Sequence, residues 1–449
     1  MSQHAKLAAS FQMNEAQAAW HDETLWMVRE KRDRLSREIP EWEDLRNAAS
    51  AIKSYSNSHL DTLLQQFEEQ ATKNGAIVHW IKDAEEYRQT ILSILEEHHV
   101  HRFIKSKSML AEECRLNPFL LEHGINVVES DLGERILQLL HKRPSHIVMP
   151  AIHIKKEEIG ELFVKEMNTT PGNNDQTYLT HAARRGLRHN FLEAEAAMTG
   201  ANFAVAETGE CVVCTNEGNA DLGMSMPKLQ ITAFGIDKIV PTRRSLGVFT
   251  RLLARSATGQ VSTAFTAHNS HPHPGGEYHI LIVDNGRSQL IANKAHRKVM
   301  NCLRCGACMN TCPVYRRSGG YSYSYFIPGP IGINLGMLAD PHRHSGNVSA
   351  CSLCYSCQNV CPAKVDLSDQ IYLWRQELKR HNEESKAKHA MSRGMQFLME
   401  RPRLFQTALR FAPLANHLPR FMVYNKLNPW GLYHELPRFV KPEKSHSEK

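Results

Sequence analysis

The sequence predicts α/β plus all-α: a mostly parallel sheet with helices over 75–295, then a helical region over 296–385. Three observations carry this. Short Val/Ile-rich runs alternate with helical stretches between 75 and 295. Eight of the 11 cysteines lie in two runs of identical spacing, from Cys302 to Cys361. The segments flanking those runs carry helix and turn signals.

A chain of 449 residues suggests about three domains at ~150 residues each. The expected division is an N-terminal helical arm over 1–74, the α/β domain over 75–295, the helical cysteine domain over 296–385 and a basic tail over 386–449. With 42% hydrophobic and 22% charged residues, wholesale disorder and collagen-like structure are excluded. No apolar run approaches the ~18–20 residues of a membrane span, and the N-terminus lacks a secretory signal. A cytoplasmic location is expected.

Residues 1–90 are polar and helix-forming, and in SNSHLDTLLQQFEEQ the residues Leu60, Leu63, Leu64 and Phe67 mark one apolar face, with Asn57 or Ser58 as cap. The stretch suits a helical cap or docking arm. Expected strands then follow as GAIVHWI, HRFIKS, INVVES, HIVMP, FAVAE, CVVCTN, LQITAF and HILIVDN, with helices such as LGERILQLLHKR and LTHAARRGLRHNFLEAEAAMT between them. Parallel sheets of this kind place ligands at the carboxyl ends of their strands. Polar residues stand there: Lys105 and Ser106, Glu129 to Asp131, Glu207 to Gly209, and Asn216 to Asn219. Glu207, Asn216, Glu217 and Asn219 are candidate ligand-binding residues, with a self-satisfying turn as the plainer alternative. Neither a G-x-G-x-x-G nor a P-loop follows a strand, so no flavin or nicotinamide site is expected.

Both cysteine runs read C-x-x-C-x-x-C-x-x-x-C-P, as CLRCGACMNTCP and CSLCYSCQNVCP. Zinc needs only four ligands and would leave half of these unexplained. In two-cluster ferredoxins the fourth cysteine of each run ligates the other cluster. That rule assigns Cys302, Cys305, Cys308 and Cys361 to one 4Fe–4S cluster, and Cys312, Cys351, Cys354 and Cys357 to a second. The insert between the runs, rich in Gly, Pro, Ser and Tyr, reads as mostly loop with one short helix. DLSDQIYLWRQELKRH reads as a helix burying Ile371, Trp374 and Leu378. Arg304, Arg316 and Arg317 are placed to favour a reduced, more negative cluster.

The remaining cysteines, Cys114, Cys211 and Cys214, are expected as buried hydrophobes. His268, His271 and His273 are expected in an exposed loop, AHNSHPHPGGE. Residues 371–449 carry 15 Lys/Arg and 7 Asp/Glu, a net +8 against −1 for the rest. Such a tail suits an acidic partner or peripheral contact with the inner face of the membrane. It has no nucleic-acid reading motif.

The whole pattern resembles the B-type family of lactate-utilisation iron–sulfur proteins. SKSML, ESDLGERILQL, PSHIVMPAIH, GANFAVAETGE, NEGN and VDNGRS are similar to its lactate-utilisation domain. RCGACMNTCPVYR, PGPIG and LCYSCQNVCPAKVDL are similar to its ferredoxin part. The resemblance implies a domain of the sugar-phosphate isomerase and CoA-transferase type fused to a two-cluster ferredoxin domain. It also implies two partners, a cysteine-rich iron–sulfur subunit and a smaller lactate-utilisation-domain protein, which together oxidise L-lactate to pyruvate while this chain carries electrons. The alternative is an enzyme binding a carboxylate or CoA ligand in the central domain, with accessory clusters.

Overall fold

The computed structural model describes residues 2–380, 386–411 and 419. The chain divides into two compact units, 1–376 and 377–449. Ten strands lie in the first: β1 (Ile77–Ile81), β2 (Arg102–Lys105), β3 (Asn126–Glu129), β4 (Ala196–Gly200), β5 (Phe203–Val205), β6 (Glu210–Thr215), β7 (Leu229–Gly235), β8 (Ile239–Val240), β9 (Phe265–Asn269) and β10 (Glu277–Val283).

The main sheet runs β1-β10-β7-β4-β2-β3, and every neighbouring pair is parallel. Successive residues face opposite sides, so the sheet has two cores. Phe103, Val127, Met198, Ile231 and Leu281 pack one face with the helix Ala84–Glu97. Ile104, Val128, Ala197, Phe234 and Ile280 pack the other with the helices Leu60–Lys73 and Gln176–Leu192. The expected apolar face of Leu60–Lys73 buries Leu63, Leu64 and Phe67, but neither expected residue caps that helix. Asn57 instead donates to Asn301, and Ser58 to the Ser54 carbonyl. A smaller sheet, β8-β5-β6-β9, combines antiparallel β5–β6 and β6–β9 with parallel β5–β8.

Three local expectations differ from the structure. HIVMP is no strand: His146 Nδ1 accepts the backbone N–H groups of Val148 and Met149 and folds the segment into a turn. The stretch expected as helix through Thr199 stops at Leu192, and Ala196–Gly200 becomes β4, between β2 and β7. Alanine-rich sequence favours helix locally, yet a central place in the sheet overrides it. The insert between the cysteine runs forms two full helices, Gly329–Ala339 and Pro341–Ala350, each with proline in the first turn, where its missing N–H costs nothing.

The N-terminal helices Glu15–Arg37 and Trp42–Ser58 pack within the first unit against the helix Arg243–Thr258 and the cysteine region. The second unit contains the helices Lys386–Met399 and Pro402–Phe411; the rest of the basic tail, 412–418 and 420–449, lies outside the described residues. No helix among the described residues is long and apolar enough to cross a membrane.

Candidate metal centre and the adjoining cavity

The two cysteine runs build the same turn twice. Arg304 and Leu353 occupy left-handed backbone, with φ of 59° and 54°. Each N–H donates to the sulfur two residues earlier, Cys302 and Cys351, at 3.3 Å. Gly306 and Tyr355 repeat the left-handed conformation just before the short helices Ala307–Thr311 and Ser356–Val360, which pack together. At Gly306 a side chain would also meet His146 at 3.0 Å. The fourth sulfurs behave alike: Cys312 Sγ accepts from Tyr315 N–H at 3.4 Å, and Cys361 Sγ from Val365 N–H at 3.3 Å.

The sulfurs have distinct neighbours. Cys305 lies beside Cys361 and Cys302, and Cys361 beside Cys302. Cys312 lies beside Cys351 and Cys354, and Cys357 beside Cys312, Cys351 and Cys354. Cys308 senses sulfurs of both runs. Burial first, and nearby sulfurs after it, push Cys305, Cys312 and Cys357 up to about 12 and Cys361 to about 11. Buried thiols crowded in this way become thiolates only against strong positive charge, which iron supplies. Backbone N–H groups aimed at the sulfurs are the contacts that tune iron–sulfur centres. The donor set therefore fits such a cofactor. Cys302 and Cys351 are half-buried and Cys354 is exposed, whereas the other five are buried.

Groups distant in sequence hold these loops, and no local signal marks them. Arg46 donates to the Cys361 carbonyl from Nε at 3.0 Å and from Nη2 at 2.9 Å, and to the Asn359 carbonyl at 2.9 Å. Arg32 donates to the Val360 carbonyl at 3.0 Å. Asn310 joins His146 to the Ala257 carbonyl, and Tyr315 donates to the Ser145 carbonyl. Trp374 stacks on His296 at 3.7 Å. Arg316 and Arg317 both pair with Asp22, at 2.8 and 2.7 Å, one carboxylate between two guanidiniums.

A cavity of about 300 Å³ opens at the carboxyl ends of β2, β4 and β7, and Leu303, Arg304 and Cys305 form part of its wall. Asn216, Glu217 and Asn219 line it; Glu207 does not, and instead accepts the N–H of Arg243 at the start of the helix Arg243–Thr258. Burial, then the charge of Asp131, pushes Glu217 up to about 7. Asp237, which sequence inspection passes over, stands at the centre of a cationic nest. Burial alone would raise it, but Lys238, Arg287, Arg304 and Lys53 hold it well below the ordinary carboxylate range.

Cys114 and Cys211 are buried, and burial first pushes both up to about 12; Cys214, up to about 11 for the same first cause, lines the cavity. The histidine segment is partly β9, not all loop. His268 meets Glu210 at 3.1 Å, His271 meets Ser270, and His273 meets the Met224 carbonyl, so the three do not converge.

Residues 64–287 match the LUD domain family, and residues 298–365 match the 4Fe-4S dicluster domain family. Lactate utilization protein B 1 of Bacillus mycoides (strain KBAB4) is 38% identical over 395 residues, covering 86% of this chain and 82% of its own length. The uncharacterized electron transport protein YkgF of Escherichia coli (strain K12) is 37% identical over 385 residues, 84% of this chain and 81% of its own. Lactate utilization protein B of Geobacillus thermodenitrificans (strain NG80-2) is 39% identical over 387 residues, with the same two shares. The chain therefore belongs to the lactate utilization protein B family, joining a parallel-sheet LUD domain to a helical iron–sulfur domain.

Proposed function

We propose that this protein is the electron-carrying member of a multi-protein system that oxidises L-lactate to pyruvate. In this role Cys302, Cys305, Cys308 and Cys361 hold one 4Fe–4S cluster, and Cys312, Cys351, Cys354 and Cys357 hold the other. The observation that carries it is the unequal placement of the two sulfur groups: Cys305 lines the cavity of the LUD domain, while Cys354 of the second group is exposed. One group thus faces a site where a small molecule fits, and the other a surface where a redox partner docks. Each 4Fe–4S cluster exchanges one electron, so two can take the two electrons released when lactate becomes pyruvate, while the two protons released with them pass to water.

The partners that suit this role are a cysteine-rich iron–sulfur subunit and a smaller LUD-domain protein. The system would work in the cytoplasm, with the basic tail turned to an acidic partner or the inner membrane face. The test is anaerobic purification of the protein with its neighbours. About eight iron and eight acid-labile sulfide per chain are expected. Added L-lactate should reduce the clusters, as followed by electron paramagnetic resonance. Zinc with little sulfide would overturn the ligand assignment, and iron that lactate never reduces would overturn the electron-carrying role.

A further inference from the structure

Arg304 belongs to a turn that does not need an arginine. Its N–H serves Cys302, but Leu353 makes the same bond to Cys351 in the same left-handed conformation. The guanidinium also hydrogen-bonds the Cys302 sulfur, and the same side chain reaches beyond the cysteine loop. Its side chain is only 12% exposed and lines the cavity. Nη2 stands 3.9 Å from Asp237 Oδ2, beyond hydrogen-bond range, and Nη1 is buried with no partner.

The neighbours satisfy it only in part, and Nη1 is left over. Arg287 already takes Asp237 Oδ1 at 2.8 Å and Glu113 at 2.7 Å, and Lys238 Nζ reaches only to 3.8 Å from Asp237 Oδ2. Lys53 donates to the Asp237 backbone carbonyl. Lys53, Lys238, Arg287 and Arg304 thus face two carboxylates, Asp237 and Glu113. Cys302 offsets part of the surplus on one side. On the other side lies the cavity, where Lys107 adds a cation, Asp131 and Glu217 add carboxyl groups, and Asn202 and Thr215 add polar groups. A buried donor without an acceptor is rare, and a charged one is costly, unless a ligand completes it.

We propose that this cavity binds a small organic carboxylate, whose carboxylate group pairs with Arg304 and Lys238 beside the first cysteine group. The site deepens the electron-carrying role and rests on it for the choice of probe acids. Because Arg304 touches Cys302 through both its backbone and its guanidinium, and lines the cavity with that same side chain, a bound acid should be sensed by the cluster at that loop.

The test uses the isolated, iron-loaded chain under anaerobic conditions. L-Lactate, pyruvate and the longer 2-oxoglutarate serve as probes, with lactamide as the uncharged control. Binding is measured by equilibrium dialysis, and the dithionite-reduced protein is followed by electron paramagnetic resonance. At least one acid should bind and alter one cluster signal, and lactamide should do neither. Arg304→Leu, which copies the residue already carried by the matching turn, should keep its iron and weaken binding about tenfold or more. Ala257→Leu, which fills the cavity from the helix Arg243–Thr258 and keeps the backbone carbonyl that Asn310 uses, should block binding while the iron content stays that of the parent. The site is overturned if no acid binds, if lactamide binds equally, or if a folded variant binds as the parent does. No turnover is needed, so failure here leaves the electron-carrying role standing. Failure of lactate to reduce the assembled system would likewise leave the binding result intact.

Discussion

Lys105 and Glu129 meet at 2.7 Å with side chains only 1% and 3% exposed, at the carboxyl ends of adjacent strands. Burial alone would lower Lys105, but Glu129 above all, with Glu112 and Glu134, raises it. Such polar residues after a strand were expected near a ligand, and here they pair with each other. Glu134, buried on the helix Leu132–Leu139, is the group left over: burial, then the charge of Glu129, pushes it from an ordinary 4.5 up to about 8. The folded protein therefore holds a proton that the unfolded chain has lost between those two values. Stability contributed by that proton is complete below about pH 4.5 and falls as pH rises toward about 8. Glu134→Gln is neutral throughout and keeps the shape. It should be more stable than the parent at pH 8.5, by on the order of 1 kcal/mol or more, and nearly equal to it at pH 4. Thermal midpoints at the two pH values check this; a difference that does not change with pH would contradict it.

The cysteine runs were legible as elements because their spacing is local and survives any rearrangement of the rest, although the fourth ligand proposed for each cluster comes from the other run. The N-terminal helices were not, because their chemistry consists of single arginines whose acceptors lie some three hundred residues away: Arg46 reaches Cys361 and Arg32 reaches Val360. Period and capping describe such a helix but not what its charged face touches. HIVMP failed for a related reason, since tertiary contacts of His146 outweigh local strand preference. The arginine clamp makes a specific prediction. Arg46→Met keeps the apolar stem and removes three bonds from a charged donor, costing on the order of 2–3 kcal/mol. Iron should be lost first from the cluster held by Cys361. Its paramagnetic signature should then match the damage in Cys305→Ala and differ from that in Cys312→Ala. Equal loss from both clusters would show that the clamp supports the whole region and not one ligand.

At the scale of the molecule, the sulfur loops and the α/β domain share one compact unit, 1–376, which also takes in the N-terminal helices. The connections are specific: Lys53 to the Asp237 carbonyl, Asn57 to Asn301, Asn310 to the Ala257 carbonyl and Tyr315 to the Ser145 carbonyl. The cavity belongs to this scale too, since it is assembled from residues as far apart as Ser106 and Arg304 and no local pattern announces it. Metal binding contributes folding free energy wherever ligands are ordered only in the folded state. With the loops bonded into the α/β domain, that contribution should spread beyond them. Removing iron with a chelator under reducing conditions should lower the thermal midpoint of the entire unit by about 10 °C or more. Limited proteolysis should then cut within Glu15–Ser58 as well as in the cysteine loops. If the domains were merely tethered, the α/β domain would melt at an unchanged temperature after iron removal and only the loops would become cleavable. One cooperative transition that moves as a whole is the outcome required by these cross-domain bonds.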